Sequence, residues 1–236
     1  ERSRETAFQV VRFAKHFKPR WIVIENVMQM RRWHRYEELL QKLRALGYKL
    51  QEQILNAADF GVPQSRRRLF ITGDRECSPP ENKPGSETPK TARGVLDKTD
   101  RFPFTSLRRP GRATNTLDRA DRAIAELGTN TAFLLVYYGS DGAGGWQTLD
   151  VPLRTITTVD RFALVKPSPS GHVMRMLQPS ELKEAMGMPP SFVLAGSTRR
   201  EKIHMIGNAV CPPLMAKVVQ TLCEETKPGP EENHAS

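Results

Sequence analysis

With 236 residues, the chain has room for one large domain, or for one domain and a smaller companion. Its hydrophobic fraction of 38% and mean hydropathy of -0.51 describe a modest core, and no apolar run approaches the roughly 18 residues that a membrane span needs. The net charge of +10 and a pI near 9.8 favour a nucleic-acid partner, with a solvated lysine-rich surface as the plainer alternative. Much of that charge is arginine in clusters, at Arg66, Arg67 and Arg68, at Arg108 and Arg109, and at Arg199 and Arg200. Guanidinium forks suit phosphates and guanine edges.

In chain order, Phe8, Val11, Phe13 and Phe17 fall on roughly helical spacing and predict a helix over residues 6–17, ended by Pro19. The apolar run Trp21, Ile22, Val23, Ile24 predicts a short parallel strand buried on both faces. Leu39, Leu40, Leu43 and Leu46 predict an amphipathic helix over residues 36–46, stopped by Gly47. Residues 48–55 and 69–72 read as further strands, and this rhythm is that of an open α/β sheet. Residues 78–90, rich in Pro, Glu, Gly, Ser and Lys, read as a linker or surface loop.

A mixed region follows to about residue 169, with β-like runs at 133–138 and 162–165. The glycine-dense stretch 139–145 reads as a flexible loop, because no Gly-Lys-Ser/Thr follows to make it a phosphate loop. Helices return at 179–186 and 212–225, the second with Pro212 and Pro213 in its first turn and Leu214, Val218 and Leu222 on one face. Residues 227–236 read as a disordered tail.

Three widely spaced cysteines, Cys77, Cys211 and Cys223, and five scattered histidines form neither a disulfide framework nor a zinc-ligand pattern. No metal and a reducing cytoplasm are the expectation. Arg2 and Arg4, not an apolar stretch, follow Glu1, so no signal peptide is expected, and the start reads as a cut through a longer polypeptide.

Three short stretches could carry chemistry. Glu25, Asn26 and Val27 stand at the carboxyl end of a predicted strand, where open α/β sheets place their ligands, although the tripeptide would also serve as a cap. Gln64, Arg66 and Arg68, at spacing two in an extended segment, share a face that would suit an anion or a base edge. A solvated basic turn is the plainer alternative there, and the presence of Glu25 tips the balance. Gly207, Asn208, Ala209 and Val210 precede the last helix, where a glycine turn would offer free backbone donors to an anionic group.

Together these pieces resemble the DNA cytosine-5 methyltransferases. Residues 21–27 resemble that family's Glu-Asn-Val motif, and residues 60–70 its Gln-x-Arg-x-Arg motif. Residues 152–158 resemble the segment that closes the target-recognition region, and Gly207 to Val210 the final motif, in the same order and spacing. The resemblance implies an α/β fold: a partial Rossmann-like, S-adenosylmethionine-dependent methyltransferase sheet with a small target-recognition insert. Residues 1–75 and 173–236 would belong to the catalytic domain and 76–172 to the recognition region.

The same resemblance implies a double-stranded DNA substrate, whose target cytosine is flipped out of the helix. Glu25, protonated or sharing a proton, would stabilise charge at ring nitrogen 3; Arg68 would hold the exocyclic oxygen; Arg66 would orient Glu25 and the nearby loop. Asn26 and Gln64 would support them. Asn208, Ala209 and Val210 would lie beside S-adenosylmethionine, and Arg108 or Arg109 would read the major groove. A prokaryotic or phage origin in the cytoplasm goes with this.

The sequence departs from the family pattern in one important way. The nucleophile's Pro-Cys motif and the Phe-x-Gly-x-Gly cofactor loop are absent ahead of Glu25, and Cys211 lies in the wrong context to replace the nucleophile. The isolated chain is therefore expected to be inactive, to expose an unpaired sheet edge, and to need an N-terminal catalytic segment from a parent chain or a second subunit. A split enzyme, a non-catalytic DNA-binding remnant and an unrelated nucleotide-binding α/β enzyme are the rival expectations, in that order.

Overall fold

The computed structural model describes residues 5–85, 88–138 and 144–225. Most of the glycine-dense stretch and the whole C-terminal tail discussed above lie outside the described residues. The first half of the chain gives α1 (Gln9–Phe17), β1 (Trp21–Asn26), α2 (Tyr36–Ala45), β2 (Lys49–Asn56), β3 (Gln64–Ser65), β4 (Arg67–Asp74) and β5 (Thr105–Ser106). The second gives α3 (Thr114–Leu127), β6 (Phe133–Val136), β7 (Trp146–Thr148), β8 (Leu153–Arg154), β9 (Phe162–Ser168), β10 (Gly171–Met176), α4 (Pro179–Ala185), α5 (Arg199–Asn208) and α6 (Pro212–Glu225).

These elements form two compact units. One comprises Glu1–Asn56, Arg67–Gly85 and Leu214–Ser236; the other comprises Ala57–Arg66 and Ser86–Pro213. Pairing explains this: β3 joins the second unit by pairing with β8, and β10 is a full member of that unit's large sheet.

In the first unit, three strands are ordered β1-β4-β2, and both contacts to the central β4 are antiparallel. The expected parallel, doubly buried strand is thus corrected. β1 pairs with β4 in antiparallel register from Trp21 opposite Asp74 to Asn26 opposite Leu69, and only Ile22 along it is fully buried. Among the described residues β1 pairs on one side only, as an edge strand antiparallel to β4, and not as an interior strand of a parallel sheet. One face carries α1 and α2: Ala14, Leu39, Leu40 and Leu43 pack on Ile22, Leu69 and Ile71, with Trp33 and Tyr36 beside them. The β2 edge is covered differently. The segment predicted as a surface loop returns along it, and Gln53 Oε1 accepts the Asn82 backbone and side-chain N–H groups at 2.8 and 3.1 Å, which buries Asn82.

In the second unit, five strands run β5-β10-β9-β6-β7, all antiparallel. Helix α3 lays Ala120 and Ala123 on Phe133, Leu135, Ala163 and Val165; the small alanines let the helix sit close to the sheet. A buried ion pair anchors α4. Arg175 on β10 donates to both oxygens of Glu181 at 2.8 and 2.6 Å, and Glu181 also accepts the backbone N–H groups of Asp97 and Gln178. The rings of Phe102 and Phe104 cover the guanidinium at 5.5 and 5.2 Å.

Two predictions follow from these buried charges. Glu181→Ala strands the Arg175 guanidinium and is expected to destabilise the second unit by about 3–5 kcal/mol, read from urea unfolding. In the first unit Asp74, fully buried, receives Trp21 Nε1 at 2.9 Å, the Glu76 backbone N–H at 2.7 Å and Arg20 at 3.4 Å. Burial opposes its ionisation, but the donors outweigh burial and hold its carboxyl below the usual aspartate range. Asp74→Ala is expected to cost about 1–3 kcal/mol at neutral pH, because it leaves those donors unsatisfied. Since the folded value is the lower one, this stabilisation is complete above ~3.9 and is lost as pH falls through the folded value, so acid titration of wild type and variant should converge there.

Candidate active site

The antiparallel register of β1 on β4 brings two of the expected site residues together. Glu25 stands opposite Phe70, and Arg68 lies two residues before Phe70 on the same face, making it the diagonal neighbour of Glu25. Arg68 Nε meets Glu25 Oε1 at 3.2 Å, with only 16% and 17% of the two side chains exposed. The Arg68 guanidinium also donates to the Arg67 carbonyl at 2.9 Å, which fixes its orientation. This face is the one opposite α1 and α2, since Ile22 and Ile24 alternate with Glu25 and pack toward the helices. At the strand end, Asn26 Oδ1 accepts the Val27 N–H at 2.8 Å and turns the chain. A cleft of about 380 Å³ opens there, lined by Thr6, Ala7, Asn26, Val27, Met30 and Trp33.

In the second unit Gln64 and Arg66 are both buried, at 0% and 3% exposure. Gln64 Oε1 accepts the Ile156 N–H at 2.9 Å, while its Nε2 faces Met186 Sδ at 2.9 Å and the Ala185 carbonyl at 3.4 Å. Arg66 donates to the Ile156 carbonyl at 2.9 Å, to the Gly207 carbonyl at 2.9 Å and to the Ala209 carbonyl at 3.1 Å. Two side chains at spacing two thus grip both polar groups of one peptide residue. Neighbouring bonds hold the same segment: Thr155 Oγ1 donates to the Ser65 carbonyl and Tyr138 OH to the Thr155 carbonyl, each at 2.8 Å. Burial pushes the Tyr138 hydroxyl up to about 12, so it stays a donor at physiological pH. Thr155 and Ile156 lie in the 152–158 segment marked by the resemblance and Tyr138 in the 133–138 run, but the sequence assigns none of the three an anchoring role. Their contribution is mostly backbone, which side-chain pattern does not report.

The final motif is arranged differently from the expected glycine turn. Gly207 and Asn208 form the last turn of α5, and only Ala209, Val210 and Cys211 link it to α6. Gly207 is needed for close approach: a Cβ there would stand 2.4 Å from the backbone of Thr157. The α6 N-terminus opens with Pro212 and Pro213, which carry no N–H, so it is a poor anion cradle. Asn208 is exposed, with only a long 3.4 Å contact to His204, and Ala209 and Val210 are half-buried.

The exposed arginines separate by partner. Arg108 pairs with Asp121, whereas Arg112 folds back onto the carbonyls of Leu107 and Ser106. Arg109 is exposed and has no such partner among the described residues. Arg199, in a cluster that the charge pattern suggested, ties Asp160 to Gln178 and the Leu177 carbonyl. Cys211 is buried against Met186, and Cys77 and Cys223 are half-buried. Among the described residues no group of three or more His, Cys, Asp or Glu side chains is placed to hold a metal, and no helix is long and apolar enough to cross a membrane.

Comparisons with known proteins bear on this geometry. Type II methyltransferase M.SacI from Streptomyces achromogenes is 28% identical over 250 residues, covering 92% of this chain and 63% of that protein. Type II methyltransferase M.Bsp6I from Bacillus sp. (strain RFL6) is 27% identical over 242 residues, covering 94% of this chain and 71% of that protein. The chain therefore spans under two thirds of the length of M.SacI. Among solved structures, the Entamoeba histolytica methyltransferase EhMeth superposes with a TM-score of 0.63 at 18% identity over 94% of this chain and 70% of that one, a likeness of fold. Dnmt2 of S. pombe gives 0.59 at 17% identity, over 92% of this chain and 70% of that one. The fold is thus the Rossmann-like one of S-adenosylmethionine-dependent methyltransferases. The model for C-5 cytosine-specific DNA methylase matches residues 1–224, and with agreement over nearly the whole sequence the chain belongs to that family.

Proposed function

We propose that this chain supplies the base-holding and DNA-recognition parts of an enzyme that methylates carbon 5 of a cytosine flipped out of duplex DNA. The observation that carries this reading is the pairing of Glu25 with Arg68 at the end of β1, where a carboxyl and a guanidinium sit side by side, mostly shielded from water. A cytosine ring offers a matching edge: nitrogen 3, which gains charge when a thiolate adds to carbon 6, and the adjacent exocyclic oxygen. Glu25, holding a proton, donates to the nitrogen and Arg68 to the oxygen, stabilising charge that develops during addition. Asn26 turns the chain at the strand end and so keeps Glu25 in place. Flipping the base costs a few kcal/mol, which phosphate contacts from the basic surface offset.

S-adenosylmethionine is the methyl donor of this family and, when bound, supplies an electrophilic methyl to the activated ring carbon. The residues at the end of α5 fit such a ligand. The exposed Asn208 amide has hydrogen-bonding capacity to spare, and half-buried Ala209 and Val210 offer apolar contact. The attacking thiolate is not among this chain's described cysteines, because Cys211 is buried and lies after the final motif. We infer that it comes from another segment, in the same parent polypeptide or on a second subunit, and that this chain alone transfers no methyl group. Within the recognition region, proposed as residues 76–172, Arg109 is the better candidate for DNA, since Arg108 is already engaged by Asp121.

Radiolabelled methyl transfer to duplex DNA tests this reading. The purified chain should give none, and the chain joined to a Pro-Cys segment should give activity that Glu25→Gln and Arg68→Met each lower roughly a hundred- to thousandfold in kcat. Undiminished transfer in either variant sinks the proposed roles. Binding is tested separately, by fluorescence anisotropy on duplex DNA across a salt series. Arg109→Ala should weaken binding and reduce the log–log salt slope by about 1, with Arg108→Ala closer to wild type.

A further inference from the structure

We propose that Gln64 and Arg66 act as positioning residues that make the exit of the recognition region and the end of α5 move as one piece. The inference rests on the functional reading above for its meaning, but its geometry is independent of that reading. Arg66 reaches three carbonyls from two segments distant in sequence: Ile156 on one side, and Gly207 and Ala209 on the other. Its positive charge sits at the C-terminal end of α5, where helix carbonyls concentrate negative potential, so the helix end is a favourable place for a buried cation. A guanidinium can span both segments because its donors are rigid and coplanar.

Gln64 supplies the second half of the device. Its side chain accepts the Ile156 N–H and reaches Met186 at the end of α4, but no bond from it to Gly207 or Ala209 accompanies these. Ile156 is therefore held on its N–H side by Gln64 and on its carbonyl side by Arg66. The segment cannot shift without loading Arg66, and Arg66 transmits the load to the carbonyls at 207 and 209. The absent Cβ of Gly207 lets the Thr157 backbone rest directly on α5, which removes slack from the link. Immediately beyond Ile156, Thr157 Oγ1 and Val159 bond to each other and leave Val159 53% exposed at the loop tip. DNA engaged at this tip would pull on the same peptide that Arg66 holds, and so on the residues proposed to meet the cofactor.

Hydrogen exchange on the chain without DNA or cofactor tests the link, so the result stands whether or not the methyl-transfer reading survives. Gln64→Met removes the Ile156 N–H acceptor and touches nothing at 207–210. It is expected to speed exchange roughly two- to tenfold over 153–159 and also over 207–210. Should Gln64→Met fail to fold, Thr155→Val loosens the same segment by removing only its bond to Ser65. An Arg66→Lys background keeps the buried charge but cannot span both segments, at some loss of thermal stability. The effect of Gln64→Met at 207–210 should vanish there, which is the signature of coupling in a double-mutant cycle. Faster exchange confined to 153–159, no change in either segment, or transmission that survives Arg66→Lys would each overturn the proposal.

Discussion

A buried cation has to be surrounded by acceptors, and in this protein Arg66 meets that requirement with backbone carbonyls. Removing a guanidinium from water carries a cost of several kcal/mol, which only well-placed hydrogen bonds offset. Ile156, Gly207 and Ala209 supply them from two segments distant in sequence. Much of the second unit's arrangement follows from this demand. Residues 153–157 must lie alongside β3, α5 must end where its last carbonyls face Arg66, and residue 207 must be glycine for the backbones to approach. Gln64 completes the enclosure by satisfying the remaining polar group of Ile156 and reaching the end of α4.

The first unit shows a different use of charge. Glu25 and Arg68 come together through strand register alone: a one-residue slip of β1 on β4 would turn Glu25 to the helix-packed face and Ile24 toward Arg68. The hydrophobic alternation of β1 and β4 against α1 and α2 forbids that slip, because it would expose Ile22 and Ile24 and bury a carboxylate among leucines. Packing on one face of the sheet thus places a polar pair on the other. Asp74, at the far end of the same register, fixes the strand pair from its opposite terminus through Trp21 and Arg20. The proposed chemistry depends on that precision, since a base edge can be read only by donors held in place before it arrives.

How much was legible in the sequence varied with the kind of signal. Helices with leucine stripes, α2 and α6, have expected bounds within a residue of those observed, and the strands of the first unit have bounds within two. Helix α3 went unread because its buried face is built from Thr116, Ala120 and Ala123, residues too small to stand out as an apolar stripe. Helix α5 was missed for a related reason: its buried residues are only Ile203, Ile206 and Gly207. The apolar run of β1 was read as a doubly buried parallel strand, since a single strand's composition does not state the direction of its neighbour.

The sequence by itself determined the kinship, the strand carrying Glu25, the presence of the arginines and the lack of a suitably placed cysteine. These are properties of residue order, and short motifs at fixed spacing carry them. Only the tertiary structure decided which partner each charge takes: Arg68 with Glu25, Arg66 with three carbonyls, Arg108 with Asp121 and Arg199 with Asp160. The physical reason is that pairing depends on distance, and residues separated by up to about 140 positions are brought within 3 Å only when the backbone between them has folded.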